Sequence, residues 1–542
     1  MQNRLIDLKP TLILLFGLSF AACTQGEGET LLEARFALAG ELPAFDPLQA
    51  EQSAYQVLQR QVFETLTEYV PNGESGAVQP LLAESWKISE NGLTWTFELR
   101  EEAFFYDPWP NPLWPERRRS VTAADVVECW TIQKEQGQGG WAFEGFISDF
   151  KAIGQRSLEI QLFHSDDSLT QRLASAYFAV YPPEALRLSS RRFGDHPVGS
   201  GPYFLSAWIP GHEAVFLKTP QWRGQKQNGQ AVAEIEKIRF TSIREGSTRT
   251  LLFQNGKLDR LSPGQDAFHT FLKNGQLAED WQRKGYRSLS IAMPDLTMIA
   301  FNLEDPVLKK KAVRQAIAMA FPYERWHRVL RNGVWAVPAK HFLPPGVAHA
   351  TDAPVCSFLK TDLDLAKQLL KQAGHPNGSG IPPLQFELAG SDAMSRAQGE
   401  MMEQALGAIG IELKAIPNTW TRYVEKTRQG KAQIWSRGWT LDWPDPLNLL
   451  SLFLASQTGS VNHFGYKNKT FDALAVAYRT EDATKKADIV HAMVAILNED
   501  LPAIPIDHRM GWAVLGPRVL HMPIHPFDPY ACKFYRLKPL SF

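Results

Sequence analysis

A chain of 542 residues has room for three to four domains of ~150 residues each. Its 44% apolar and 21% charged residues belong to a globular chain rather than a disordered one. With 57 basic against 58 acidic residues, it lacks the basic excess or stripe of a nucleic-acid binder, beyond short runs such as Arg117–Arg119. Four cysteines (Cys23, Cys129, Cys356, Cys532) stand far apart with no C-x-x-C pair, which argues against cysteine-zinc and thioredoxin-type sites.

In chain order, Arg4 and Lys9 precede an apolar run of 12 residues, Thr11–Ala22. That is too short to cross ~30 Å of hydrocarbon, which takes about 20 residues. A charged head, an apolar middle and a small-residue end are the marks of a secretory signal. The end, Phe20-Ala21-Ala22-Cys23, resembles the lipobox of bacterial lipoproteins. The resemblance implies loss of residues 1–22 and a lipid on Cys23; an ordinary signal cut after Ala22 is the alternative. Residues 23–30 are small and polar, a tether. No other segment reaches 18 uninterrupted apolar residues, so no membrane span is expected in the mature chain.

Further on, the spacing predicts a strand over 35–40, a helix over 51–63 and a half-buried strand in which Leu93, Trp95, Phe97 and Leu99 alternate with polar residues. Residues 106–119 hold four prolines and no period, a loop. Thr122 is expected to cap a helix over 123–132, Ser247 to cap one ending at Gly256, and Asp305 to cap one carrying Val313, Ala316, Ile317 and Ala320. Ile235, Ile238 and Phe240 read as a strand. From Asp362 the pattern alternates: helix 363–373, strand 384–389, helix 392–408, strand 411–416, helix 420–428, strand 431–436, a βαβ-type lobe.

Enzyme motifs are missing. Gly199-Ser200-Gly201 and Gly378-Ser379-Gly380 lack nucleophile-elbow spacing, His212-Glu213 lacks the second histidine of a zinc protease, and Gly256-Lys257 lacks the rest of a P-loop. The 13 histidines are scattered. No catalytic residue, metal site or cofactor is expected. Cys129 reads as a small core residue; spacing leaves a Cys356–Cys532 bridge open.

The stretch Val78–Arg100, followed by Thr122-Ala-Ala-Asp-Val126, resembles the signature of family 5 solute-binding proteins, the peptide-binding, nickel-binding and related receptors of bacterial ABC importers. Further fragments fall in the family's order: Phe45-Asp-Pro47, Val198-Gly-Ser-Gly-Pro-Tyr203, Phe301-Asn302 with Val313-Arg-Gln-Ala316, Gly438–Pro446, Phe471-Asp472 and Leu501–Pro505. The resemblance covers residues ~31–530 and implies an α/β fold: a two-lobed periplasmic-binding-protein clamshell, type II, of the three-domain peptide-binding subclass. Lobe one would hold 31–70, an inserted small domain 71–194, 195–287 and a C-terminal return 505–542; lobe two would be 288–504. The implied protein is a monomeric receptor of the periplasm or cell envelope, held to the membrane by lipid alone. It would enclose a peptide between its lobes and deliver it to the permease subunits of an ABC transporter. A metal chelate, haem or oligosaccharide is the alternative ligand.

A receptor indifferent to side chains must grip the invariant parts of a peptide. Its amides suit the edge of a strand, and its ammonium suits a desolvated carboxylate. Asp442 matches the family's aspartate for the peptide N-terminus, and Trp420 and Trp439 match its two pocket tryptophans. Gly438 and Thr440 would offer backbone groups, and Glu51 and Ser53 would meet the peptide from lobe one. Asp445, before Pro446, reads as structural, and Trp443 as core or cleft. The family's carboxylate-binding arginines fall at Thr427 and Ser436; Arg428 and Arg437 are each displaced by one. One step along a strand reverses the face, so Arg437 is expected to point away from the cleft.

Overall fold

Alternation along Thr94–Leu99 buries Trp95, Phe97 and Leu99 on one face of a strand, as the sequence predicts. In the computed structural model, which describes residues 32–40, 42, 44–49, 53–71, 76–188, 192–223, 226–227, 230–481 and 483–540, this strand lies inside a four-stranded antiparallel sheet. Its order is Ala83–Ile88, Thr94–Leu99, Ser157–Leu162, Ile147–Ala152. The signal segment, the tether, Cys23 and Glu51 lie outside the described residues.

The helix against this sheet starts where expected. Thr122 Oγ1 accepts from the Asp125 amide while Asp125 accepts from the Thr122 amide, a reciprocal cap that satisfies two orphan donors. The helix runs to Gln136, one turn beyond the expected Ile132. It buries Trp130 among Phe143, Phe150 and Phe178.

A second four-stranded sheet pairs Glu33–Leu38 in parallel with Lys237–Ser242, then adds Glu213–Lys218 and Tyr203–Ile209 antiparallel. Phe36, Phe216 and Phe240 form its core, together with Tyr535 from the far end of the chain. The Gly199-Ser200-Gly201 turn packs on the end of the helix Ser53–Val62, where the Gly201 amide donates to the Val62 carbonyl at 2.8 Å. A Cβ on Gly201 would lie 2.5 Å from the Gln61 carbonyl oxygen, so only glycine fits.

The largest sheet has eight strands. At its centre Asp295–Phe301 is flanked antiparallel by Ile434–Thr440 and Ala503–Leu515. Leu384–Leu388 joins in parallel with Leu413–Pro417 and with the start of Ile434–Thr440, the expected βαβ arrangement. The helices Ala393–Gly407 and Trp420–Arg428 cross between these strands. The 13-residue strand Ala503–Leu515 changes partners along its length. It begins beside Asp295–Phe301 and ends beside Arg287–Ala292 and Arg260–Leu261. Ala503 and Ile504 thus lie in cores built mainly from residues 296–506, joined by Tyr69, Ala174 and Phe527, while Ala513 and Leu515 join the core of the first two sheets. The molecule is a two-lobed α/β clamshell, and this strand is one of its crossings.

Several local expectations need correction. Asp305 caps a turn, accepting from the Val307 and Leu308 amides, and the helix begins later, at Lys311. Ser247 is the second residue of the helix Gly246–Gln254, whose N-cap is Glu245 without a side-chain bond. The strand expected over 431–436 is Ile434–Thr440, because its pairing with Asp295–Phe301 persists through Thr440. Cys129, Cys356 and Cys532 are buried free thiols, so the Cys356–Cys532 bridge does not form.

Candidate functional site

The strand Ile434–Thr440 sets the site. It pairs with Asp295–Phe301 along its whole length, yet on its other edge Leu384–Leu388 reaches only Ile434 and Trp435. Among the described residues no strand covers that edge from Arg437 to Thr440. Beyond Thr440 the chain turns through Trp443-Pro444-Asp445-Pro446. Buried Asp445 caps the short helix Pro446–Leu450, accepting from the Leu447 amide at 2.6 Å and from the Ser168 hydroxyl at 3.1 Å, the structural role read from the sequence. Burial, with nearby Asp166, pushes its carboxyl up from the ordinary carboxylate range. Asp442 is held between the exposed strand edge and this cap.

Asp442 opens onto a cavity of about 690 Å³ between residues 141–177 and residues 439–479. The Tyr177 hydroxyl donates to Asp442 Oδ1 at 3.0 Å. Trp141 packs edge-on against Tyr177 and stacks on Trp443, with ring centroids 5.2 and 5.4 Å apart. Trp443 is therefore both buried and cavity-lining. The Arg172 guanidinium sits 3.6 Å from the Phe146 ring centroid and 4.3 Å from that of Trp443, and burial lowers its pKa. Trp439 forms part of the wall, its indole fixed by a 3.1 Å bond to the Asn448 carbonyl. The cavity is thus walled by aromatic rings, with the carboxylates of Asp442, Asp166 and Glu144 and the guanidinium groups of Arg172 and Arg479 around it.

The expected residues fall unevenly around it. Asp442 and Trp439 line the cavity; Gly438 and Thr440 lie exposed on the uncovered strand. Trp420 is apart from it, 67% exposed at the start of its helix and stacked on Tyr423. Ser53 opens the helix Ser53–Val62. Arg437 is not among the residues that line the cavity. It shares a strand face with Trp439, lies 5.8 Å from that ring, and donates to the carbonyl of cavity-lining Val461 at 3.0 Å. Burial lowers its pKa to about 10, and its Nη1 has no partner.

Tyr177, Trp141, Phe146 and Arg172 carry no motif, and only the fold brings them to Asp442. No group of three His, Cys, Asp or Glu side chains among the described residues gathers where it could hold a metal ion. No helix among them is long and apolar enough to cross a membrane.

Known proteins similar to this chain share its length and fold. The chain is 26% identical over 499 residues to haem-binding protein A of Haemophilus influenzae, covering 88% of this chain and 87% of that one. It is 24% identical over 539 residues to the oligopeptide-binding protein OppA of Bacillus subtilis, covering 92% and 93%. The structure of HbpA2 from Haemophilus parasuis superposes with a TM-score of 0.79 at 22% identity, over 94% of this chain and all of that one. Residues 77–460 match bacterial extracellular solute-binding proteins, family 5 (middle region). That match takes in the Trp141–Tyr177 wall, the uncovered strand and Asp442, and the chain belongs to the family 5 extracellular solute-binding proteins.

Proposed function

We propose that this protein is an extracytoplasmic receptor that captures peptides between its lobes and hands them to an ABC permease, doing no chemistry itself. One observation carries the reading: an uncovered strand edge, Arg437–Thr440, ends at Asp442 beside an aromatic cavity. A strand edge offers amide partners to any extended peptide, and a carboxylate at its end suits the ammonium. The aromatic box leaves room for a side chain of unspecified identity. The relative named oligopeptide-binding protein supports the same ligand class.

In this reading Gly438 and Thr440 bond the peptide backbone, Trp439 walls the first side chain, and Ser53 and Glu51 approach from lobe one, with Trp420 joining on closure. In the same reading residues 288–504 form lobe two. Cys23 carries the lipid that keeps the receptor at the membrane. Mass spectrometry of solute retained through native purification tests the ligand class; a peptide supports the reading and a non-peptide solute defeats it. Haem is the second reading, favoured by the relative named haem-binding protein A. Absorbance titration with haemin separates the two.

A further inference from the structure

A second cavity, of about 430 Å³, lies along the later part of the strand Ala503–Leu515. Its walls include Trp335, Trp512 and Met293, and three arginines: Arg260, Arg331 and Arg509. Two of the arginines have carboxylate partners. Arg331 holds buried Asp507 with two bonds, of 2.8 and 3.1 Å, and Arg509 pairs with buried Asp295.

Arg260 differs. It is only 9% exposed, its Nη1 donates to the Pro529 carbonyl at 2.6 Å, and its guanidinium lies 4.2 Å from the Tyr530 ring centroid. Its Nε has no partner, the Tyr535 hydroxyl is the one side-chain group that interacts with it by hydrogen bond, and among the described residues no carboxylate pairs with it. A buried charge without a counter-ion is costly, and a carbonyl, a hydroxyl and a ring face offset only part of that cost. The cavity wall therefore holds one positive charge in excess, beside large apolar surfaces.

The two cavities share no lining residue, but side-chain contacts link their walls. Arg509 Nη2 donates to Thr440 Oγ1 at 3.2 Å, two residues before Asp442. Buried Tyr69 links the walls: its hydroxyl donates to the Gln171 carbonyl beside Arg172, and its ring stacks on His525, with centroids 4.7 Å apart. His525 lies on the second cavity's wall.

We propose that the second cavity takes the anionic end of the solute, a carboxylate carried on an apolar or aromatic body, with Arg260 as counter-ion and Trp335 and Trp512 as walls. The proposal rests on the reading that Asp442 takes the cationic end. For a peptide, it places an apolar C-terminal residue in the cavity and its carboxylate at Arg260.

Calorimetry on the full chain compares a short peptide ending in phenylalanine with its C-terminal amide, in wild type and Arg260→Met. The amide should bind wild type about thirtyfold or more weakly than the free acid, the usual loss when one partner of a desolvated charge pair is removed. In Arg260→Met the two forms should agree within about threefold. Arg260→Lys keeps the charge and should keep most of the amidation penalty, which covers the case that Arg260→Met fails to fold. Equal binding of acid and amide to wild type, or the same penalty in wild type and Arg260→Met, overturns the proposal.

A peptide-independent arm uses anilinonaphthalene sulfonate, an aromatic anion whose emission rises in apolar surroundings. Its affinity should fall about tenfold in Arg260→Met; equal dye affinity in both proteins overturns the anion site. Loss of dye binding in Arg260→Met with no peptide bound by wild type keeps the anion site and defeats the peptide reading.

Discussion

The Tyr177 hydroxyl bonds Asp442 Oδ1 at 3.0 Å across 265 positions of the chain, joining the two walls of the larger cavity. Hydrogen bonds to charged groups contribute about 1.5–3 kcal/mol, so separating the walls along this line has a cost. Tyr177→Phe keeps the ring against Trp141 and removes the hydroxyl. The ligand-free variant should populate a more open form, seen as a larger radius of gyration in small-angle X-ray scattering. An unchanged profile would mean that ring packing alone sets the spacing of the walls.

Asp442→Asn nearly preserves shape and removes the charge. If the carboxylate holds a peptide ammonium in a water-poor cleft, affinity should fall by ~2–5 kcal/mol, while ligand-free stability changes little. Acetylating the peptide N-terminus should weaken binding to wild type, and by less in the Asn variant. Calorimetry on these four combinations isolates the pair. Equal binding of free and acetylated peptides by wild type would remove Asp442 as an ammonium anchor.

Stability should fall as the solution is acidified, and His341 contributes. Burial, then nearby His508, holds the His341 pKa at about 4 against an ordinary 6.5, and its Nδ1 accepts from the Leu343 amide at 3.2 Å. Between those values the unfolded chain binds the extra proton. Stability from this group is therefore full above pH 6.5 and is lost as pH falls toward about 4. The limiting slope is ~1.4 kcal/mol per pH unit. In His341→Asn the side-chain oxygen can still accept from Leu343, so the fall in melting temperature should be shallower. It should not vanish, because burial also lowers the pKa of His508. Parallel curves for variant and wild type would exclude His341.

Gly201→Ala should destabilise the fold without touching the site. The added methyl would meet the Gln61 and Val62 carbonyl oxygens at 2.5 and 2.6 Å, both backbone atoms at a helix end. Overpacking of this kind typically costs about 1–3 kcal/mol. Thermal unfolding should show the loss, with peptide affinity of the folded protein unchanged; an unaltered melting temperature would show that the turn shifts freely.

Cys23→Ser should move the protein from the membrane fraction to the soluble fraction and leave solute binding intact. Retention in the membrane fraction would point to an uncleaved anchor in place of a lipid.

Local chemistry made much of the framework legible from the sequence. The Thr122 cap, the alternating Thr94–Leu99 strand and the βαβ order after Asp362 each depend on residues within one turn or one strand. Where a local signal had two structural uses, the sequence did not choose between them. Asp305 has the side chain of a helix cap but closes a turn, and the helix waits for Lys311. Ser247 can cap a helix, yet the chain enters that helix one residue earlier.

The family resemblance singled out Trp439 and Asp442, and both line the larger cavity. The opposite wall was not singled out, because Tyr177, Trp141 and Arg172 acquire meaning only when the fold returns them to Trp443 and Asp442. Arg437 shows the same division. Strand alternation correctly places it opposite Ser436 in face, but which face meets the cavity depends on how the whole sheet packs. Arg437 packs against two cavity-lining residues, Trp439 and Val461, without lining the cavity itself. Periodicity and most caps thus located the helices and strands, since those are short-range energies; the cavity walls and the counter-ion balance around Arg260 were decided by contacts between distant segments, which only tertiary packing creates.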